Sequence, residues 1–260
     1  MQTIKSKDGT VLAYDVIGSG PALIYITGAT CFRLFMPIVQ DVKTFAKEFT
    51  VYNYDRRGRG DSGDRLPYAP EREVEDIAAM ITAAGGSAWL YGHSSGAVLA
   101  LEAALQLGNK INGIALYDAP YACDEKEKAE YNYLSRRVHE LLHAGENAKA
   151  LNCFLKGIGM PKFFVWFMPL MPGWKTMKAL APTLAYDIEL TRDLPPVARI
   201  SKINLPVYII IGEKSPDSMR SVAQQLTQAL PAATFTEVIG QDHMISAKML
   251  LPILVKCIKG

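Results

Sequence analysis

The stretch Ser87-Ala88-Trp89-Leu90-Tyr91-Gly92-His93-Ser94-Ser95-Gly96-Ala97-Val98-Leu99-Ala100-Leu101-Glu102-Ala103-Ala104-Leu105 decides how this chain reads. After Ser87, its first residues are apolar and aromatic, as in a buried strand. Its last nine are strong helix formers. Between them lies a G-x-S-x-G pentapeptide, Gly92 to Gly96. A serine pinned in a tight strand-to-helix turn holds its hydroxyl above the sheet edge, close to the free amides of the helix start. Ser94 is therefore the candidate nucleophile, and the sequence on either side is read for partners.

Strand-like and helix-like runs alternate outward from this point. Residues 10–16 alternate loosely, and Ala22 to Thr27 form a continuous apolar run, the pattern of a strand covered on both faces. Phe49 to Tyr54 reads as a further strand, with room for a crossover helix over 33–47. Apolar residues at helical spacing (Val74, Ile77, Ala78, Ile81) predict a helix over 71–84, which Gly85-Gly86 stops. Ile111 to Tyr117 follows as a strand. From about 121 to 201 no strand is expected. Residues 124–143 form a charged amphipathic helix, and prolines punctuate the helical pieces after it. The alternation resumes with a strand at 206–211, a helix at 218–230, a strand at 233–239 and a helix at 245–258. Strands alternating with helices imply an α/β class with a mostly parallel sheet of right-handed βαβ units. The expected division is a core of residues 1–119 and 202–260, with an all-α cap of residues 120–201 inserted.

Composition narrows the function classes. In 260 residues, 49% are hydrophobic and 21% charged, and the net charge is +2. That charge is too small to argue for a nucleic-acid partner or an anionic membrane surface. No apolar run reaches the ~18 residues of a membrane span, and residues 1–9 contain no signal-peptide core. A cytoplasmic location is the expectation. Four scattered cysteines, Cys31, Cys123, Cys153 and Cys257, read as free buried thiols.

Four motifs together resemble the α/β-hydrolase family with a helical cap. Leu23 to Gly28 is similar to the strand leading to that family's oxyanion loop. Tyr54-Asp55-Arg56-Arg57-Gly58-Arg59-Gly60-Asp61-Ser62 resembles its D-x-R-G-x-G-x-S loop. Gly92 to Gly96 matches the nucleophile elbow, and Gly240-Gln241-Asp242-His243 resembles the loop that carries the catalytic histidine. The resemblance covers most of residues 1–120 and 202–260. It implies Ser94 as nucleophile, His243 as base, and the backbone amides of Ala29 and Ser95 as the oxyanion hole. His93, inside the elbow, is expected to point away from Ser94. In most members the acid follows the strand ending here at Ile211, but that position holds Ser215. Asp118, at the end of the preceding strand, is preferred as the acid, as in relatives resembling haloalkane dehalogenases. Asp217 is the alternative, with a plain role at a helix start as its competing explanation.

The implied activity is serine hydrolysis of an ester, thioester or related acyl bond in a small, largely apolar substrate. A carbon–carbon bond hydrolase would use the same residues, and a ligand-binding or sensing protein of this fold is the reading from a different class. No cofactor is required. His139-Glu140-Leu141-Leu142-His143 matches H-E-x-x-H, yet no third ligand follows it, so no metal is assigned. The segment Phe163 to Trp174 is rich in aromatics and methionines. Phe164, Phe167 and Met168 are taken as candidate pocket residues, although packing the cap onto the core would also account for them. Lys162, Lys175 and Lys178 around this segment permit contact with a membrane interface. Oligomeric state, including a homo-oligomer, is left open.

Overall fold

A computed structural model describes the chain except for Cys123, Pro161, Met171 and Pro172 and the side chain of Phe164. Eight strands form one sheet: β1 (Gln2–Lys5), β2 (Val11–Ile17), β3 (Ala22–Ile26), β4 (Thr50–Tyr54), β5 (Ala88–His93), β6 (Ile111–Tyr117), β7 (Val207–Gly212) and β8 (Ala233–Val238). Their order is β1-β2-β4-β3-β5-β6-β7-β8. β1 and β2 pair antiparallel, as do β2 and β4, and every later pairing is parallel. The sequence reading missed β1. It is short and polar, and only its pairing with β2 across the Ser6–Thr10 turn makes it a strand.

Five helices flank the sheet. α1 (Met36–Phe45) lies on one face, α2 (Pro70–Ala83) and α3 (Ser95–Leu107) on the other. Between β6 and β7 the described residues contain no strand but six helices: α4 (Glu125–His143), α5 (Asn147–Gly157), α6 (Lys162–Phe167), α7 (Trp174–Ala179), α8 (Leu184–Thr191) and α9 (Val197–Ile200). After them come α10 (Asp217–Ala229), on the α2–α3 face, and α11 (Ala247–Lys259), on the α1 face. Each face of the sheet thus buries its own apolar cluster. Covering on both faces explains why β3 and β6 read as continuous apolar runs rather than alternating ones. The helical insert has a third cluster, built on Val138, Leu151, Leu155, Leu184 and Ile188, and Ala29 of the core packs against it. No helix among the described residues is long and apolar enough to cross a membrane.

α3 is apolar on nearly every side because it is central. Ala97, Val98, Leu99, Ala100, Leu101 and Ala103 are all fully buried between the sheet, α2 and α8. Its entry is equally crowded. A β-carbon on Gly92 would sit 2.3 Å from the Gly96 carbonyl oxygen, and one on Gly96 would sit 2.1 Å from that of Ile26. Both contacts are to backbone and cannot relax cheaply. Gly96→Ala is therefore expected to lose at least 1–3 kcal/mol (order of magnitude) of unfolding free energy, read from urea midpoints. A midpoint equal to wild type would show that the elbow is not so tightly packed.

Candidate active site

Strand β5 delivers Ser94 in a conformation that costs energy. Its φ of 56° and ψ of −126° lie outside the regions that non-glycine residues favour. The Ser94 N–H donates to the carbonyl of Tyr117 (2.9 Å) and the Ser94 carbonyl accepts from Ala97 N–H (2.8 Å). These bonds fix the turn from both sides, so the side chain projects at the end of the sheet. A β-carbon on Gly28 would lie 3.1 Å from Ser94 Cβ and 3.7 Å from its Oγ. The loop after β3 therefore passes directly beside the serine hydroxyl.

The loops after β6 and β8 bring an acid and a histidine together. His243 Nδ1 lies 3.0 Å from Asp118 Oδ2. Asp118 is buried, with a φ of 49° just past the end of β6. Ser215 Oγ donates to the same Oδ2 at 2.6 Å and accepts from Gly212 N–H at 3.1 Å. The residue that occupies the usual acid position thus supports the carboxylate one strand away. Asp217 sits exposed in the first turn of α10, where its charge complements the helix dipole.

His93, which the sequence assigns no partner, lies against the histidine loop. Its ring lies 5.0 Å from that of His243, and its Nε2–H donates to the His243 carbonyl oxygen at 2.8 Å. The Tyr117 hydroxyl donates to the next carbonyl back, that of Asp242. Lys214 N–H holds the carbonyl of Gln241 (2.8 Å). The histidine loop is thereby pinned to the ends of β5, β6 and β7. Burial, with the neighbouring His243 adding to it, pushes the His93 pKa down to about 4.

Behind the serine lies a buried cluster of charge. In the Asp55–Ser62 loop, the Asp55 carboxylate accepts from the backbone N–H of Arg33 and of Asp61, and Ser62 Oγ donates to the Asp55 carbonyl at 2.7 Å. These bonds shape the turn, and they turn Arg56 and Arg59 inward. Arg56 pairs with Glu73 through Nε (2.7 Å) and Nη2 (2.6 Å). Its Nη1 reaches Asp187 Oδ1 (2.9 Å), Ser95 Oγ (3.2 Å) and the Thr27 carbonyl (3.3 Å). Arg59 donates to Asp187 Oδ2 and to the Gly28 carbonyl, both at 2.7 Å. Asp187 comes from α8 of the insert and also accepts from Ser95 Oγ (2.7 Å). Burial alone would push the Asp187 carboxyl up. The Arg59 and Arg56 charges outweigh it and hold the group below the usual carboxylate range. Stacking of Tyr68 on Tyr186, with ring centres 4.0 Å apart, closes the cluster on one side.

Other singled-out residues fall elsewhere. Trp166 and Phe167 stack edge to face and are 72% and 48% exposed, while Met168 is buried in the insert's own cluster. The Phe164 side chain lies outside the described residues. His139 and His143 have ring centres 6.4 Å apart on α4, and no group of three or more potential metal ligands occurs among the described residues. Cys31, Cys153 and Cys257 are free and half-buried rather than buried, and Cys123 lies outside the described residues.

With this geometry in place, comparison with known proteins decides the family. Residues 9–249 match the Alpha/beta hydrolase family. The chain belongs to that family. A solved alpha/beta hydrolase of Sphaerobacter thermophilus is 38% identical, with a TM-score of 0.88 over 98% of this chain and 99% of that one. A 2-(acetamidomethylene)succinate hydrolase of Mesorhizobium japonicum is 27% identical over 241 residues, 88% of this chain and 84% of the relative. An N-formylmaleamate deformylase of Pseudomonas putida is 35% identical over 106 residues, 40% of this chain and 39% of the relative.

The position of His93 in this α/β-hydrolase has a consequence for pH. In the unfolded chain it titrates near 6.5, and in the folded protein near 4. The unfolded state binds the extra proton between those values, so stability is full above pH 6.5 and falls as pH drops toward 4. His93→Gln can keep an N–H donor but cannot titrate, and it is expected to flatten part of that decline. Urea midpoints at pH 7 and pH 5 measure it, and an unchanged difference between the two would remove His93 as a cause.

Proposed function

We propose that this α/β-hydrolase is a serine hydrolase that cleaves an ester, thioester or related acyl bond through an acyl-enzyme. The observation that carries the proposal is the 3.0 Å contact between His243 Nδ1 and buried Asp118 Oδ2, on loops beside the Ser94 elbow. A carboxylate at that position can only accept, so the neutral imidazole carries its proton on Nδ1. Its Nε2 lone pair is then free to act as a base.

In the proposed reaction Ser94 Oγ attacks the substrate carbonyl while His243 Nε2 takes the serine proton. Asp118 stabilises the imidazolium that forms, and the Ser95 and Ala29 amides bind the oxyanion. His243 then protonates the leaving group as the carbon–heteroatom bond breaks. A water molecule, deprotonated by His243, attacks the acyl-enzyme, and collapse of the second tetrahedral intermediate releases the acid and restores Ser94. Asp217 is the alternative acid, but its exposed place in the first turn of α10 favours a role complementing the helix dipole.

The packing of Ala29 on the insert's apolar cluster supports a small, largely apolar substrate. In this reading the insert forms the roof over the acyl group. Met168 belongs to its packed interior, and Phe164 and Phe167 belong to the segment at its edge. A second reading keeps the residues and changes the bond. The curated relatives are named 2-(acetamidomethylene)succinate hydrolase and N-formylmaleamate deformylase, which favours a bond other than a simple ester; a carbon–carbon bond hydrolase would use the same residues.

The test separates the two acids. Asp118→Asn is expected to lower kcat on short-chain p-nitrophenyl esters by about 10⁴-fold, the loss typical of a triad acid. Asp217→Asn should stay within about threefold of wild type, the scale of a lost surface helix-dipole contact. Labelling of Ser94 by a fluorophosphonate probe, read from its tryptic peptide, tests the nucleophile. The reverse ranking of the two variants would move the acid to Asp217. An unlabelled Ser94 in folded protein would instead favour a binding protein with little turnover.

A further inference from the structure

The serine-hydrolase reading leaves the buried Arg56–Arg59–Glu73–Asp187 cluster without a task. Such clusters are poor sources of stability, because desolvation offsets most of the attraction. Its position is more informative. Each oxyanion amide of the proposed site is tied to one carboxylate of this cluster.

Ser95 is tied directly, since its Oγ donates to Asp187 Oδ1 at 2.7 Å and Ser95 opens α3. Ala29 is tied through the preceding peptide. Arg59 Nη1 holds the Gly28 carbonyl at 2.7 Å, and Arg59 Nη2 is held by Asp187 Oδ2 at 2.7 Å. The Gly28–Ala29 peptide is planar, so its C=O and its N–H point in opposite directions. Fixing the Gly28 oxygen on Arg59, with Cys31 N–H as a longer second donor at 3.4 Å, therefore fixes the direction of the Ala29 N–H in the loop that passes beside Ser94. A charge-assisted bond to that oxygen holds the plane more firmly than a neutral one would.

We propose that Asp187 and Arg59 are positioning residues for the oxyanion site, with Asp187 setting Ser95 directly and Ala29 through Arg59. Neither touches substrate. Because Asp187 lies on α8, the helical insert sets the direction of the oxyanion donors as well as covering them. The inference rests on the assignment of Ser94 as nucleophile with Ala29 and Ser95 as donors.

The experiment compares wild type with Arg59→Met, Arg59→Lys and Asp187→Asn on a p-nitrophenyl ester. It also measures inhibition by an alkylboronic acid, which forms a tetrahedral adduct on the serine. Arg59→Met leaves Asp187 paired with Arg56 and Ser95, and it carries the test if Asp187→Asn does not fold. Loss of one oxyanion donor typically costs about 10²–10³ in kcat, and a misdirected one should cost part of that. The expected result is a fall of about 10–10²-fold in kcat for Arg59→Met, with KM within about threefold. Boronate affinity should fall in parallel, and the acid limb of the pH–rate profile should not move, because the His243–Asp118 pair is untouched. Arg59→Lys, which keeps one donor for Gly28, should recover part of the loss. Arg59→Met with kcat within about twofold of wild type overturns the proposal. So does a shifted acid limb, which would place the effect at His243, or a lowered melting temperature with kcat intact. A wild-type protein that neither turns over esters nor binds the boronate would instead remove the serine-hydrolase reading, and this inference with it.

Discussion

The backbone of Ser94, held at φ 56° and ψ −126° between β5 and α3, is the constraint around which the rest of the site is arranged. A non-glycine residue in such a conformation costs about 1–3 kcal/mol and persists only where its surroundings over-determine it. Here they do. Tyr117 and Ala97 hold the serine's own peptide groups, and Gly92 and Gly96 allow backbone contacts that no side chain would permit. Only two other non-glycine residues with positive φ occur among the described residues, Thr30 and Asp118. One follows Ala29 and the other accepts from His243. All three departures from relaxed backbone therefore fall in the loops at one end of the sheet. The parallel core supplies the rigidity that keeps them there.

Two electrostatic layers surround the elbow. In front, Asp118 meets His243 while Ser215 and the end of β7 support the carboxylate. Behind, Arg56 and Arg59 sit between Glu73 and Asp187 and reach the carbonyls of Thr27 and Gly28. The front layer pairs a buried carboxylate with an imidazole. The rear one carries paired charges with fixed partners and holds the backbone carbonyls of Thr27 and Gly28. The insert takes part in the rear layer through α8. Arg199 adds a further tie between insert and core, donating to the Glu102 carboxylate of α3.

Much of this was legible in the sequence, for identifiable reasons. The elbow, the Asp55–Ser62 loop and the His243 loop each take their turn geometry from residues close together in the chain, so spacing records them even though their outer contacts are long-range. The strands covered on both faces read clearly because burial leaves them uniformly apolar. What was not legible depends on contacts between distant segments. The choice between Asp118 and Asp217 turns on which strand end lies beside His243, and no local pattern reports that. Ser215 looked like a missing acid until its bond to Asp118 could be seen. Asp187 carried no signal, being one acidic residue on a short helix about 130 residues after its arginine partners. The exposure of Trp166 and Phe167 was equally hidden, since an aromatic run reads alike whether it packs inward or faces solvent.

The central claim is that Ser94 becomes covalently acylated during turnover. Rapid acid quench of the protein reacting with p-nitrophenyl butyrate, followed by peptide mass spectrometry, tests it most directly. The account predicts a butyryl adduct on the peptide containing Ser94, formed within the first turnover and absent from Ser94→Ala. Steady hydrolysis with no adduct at any time, or an adduct on another residue, would contradict it.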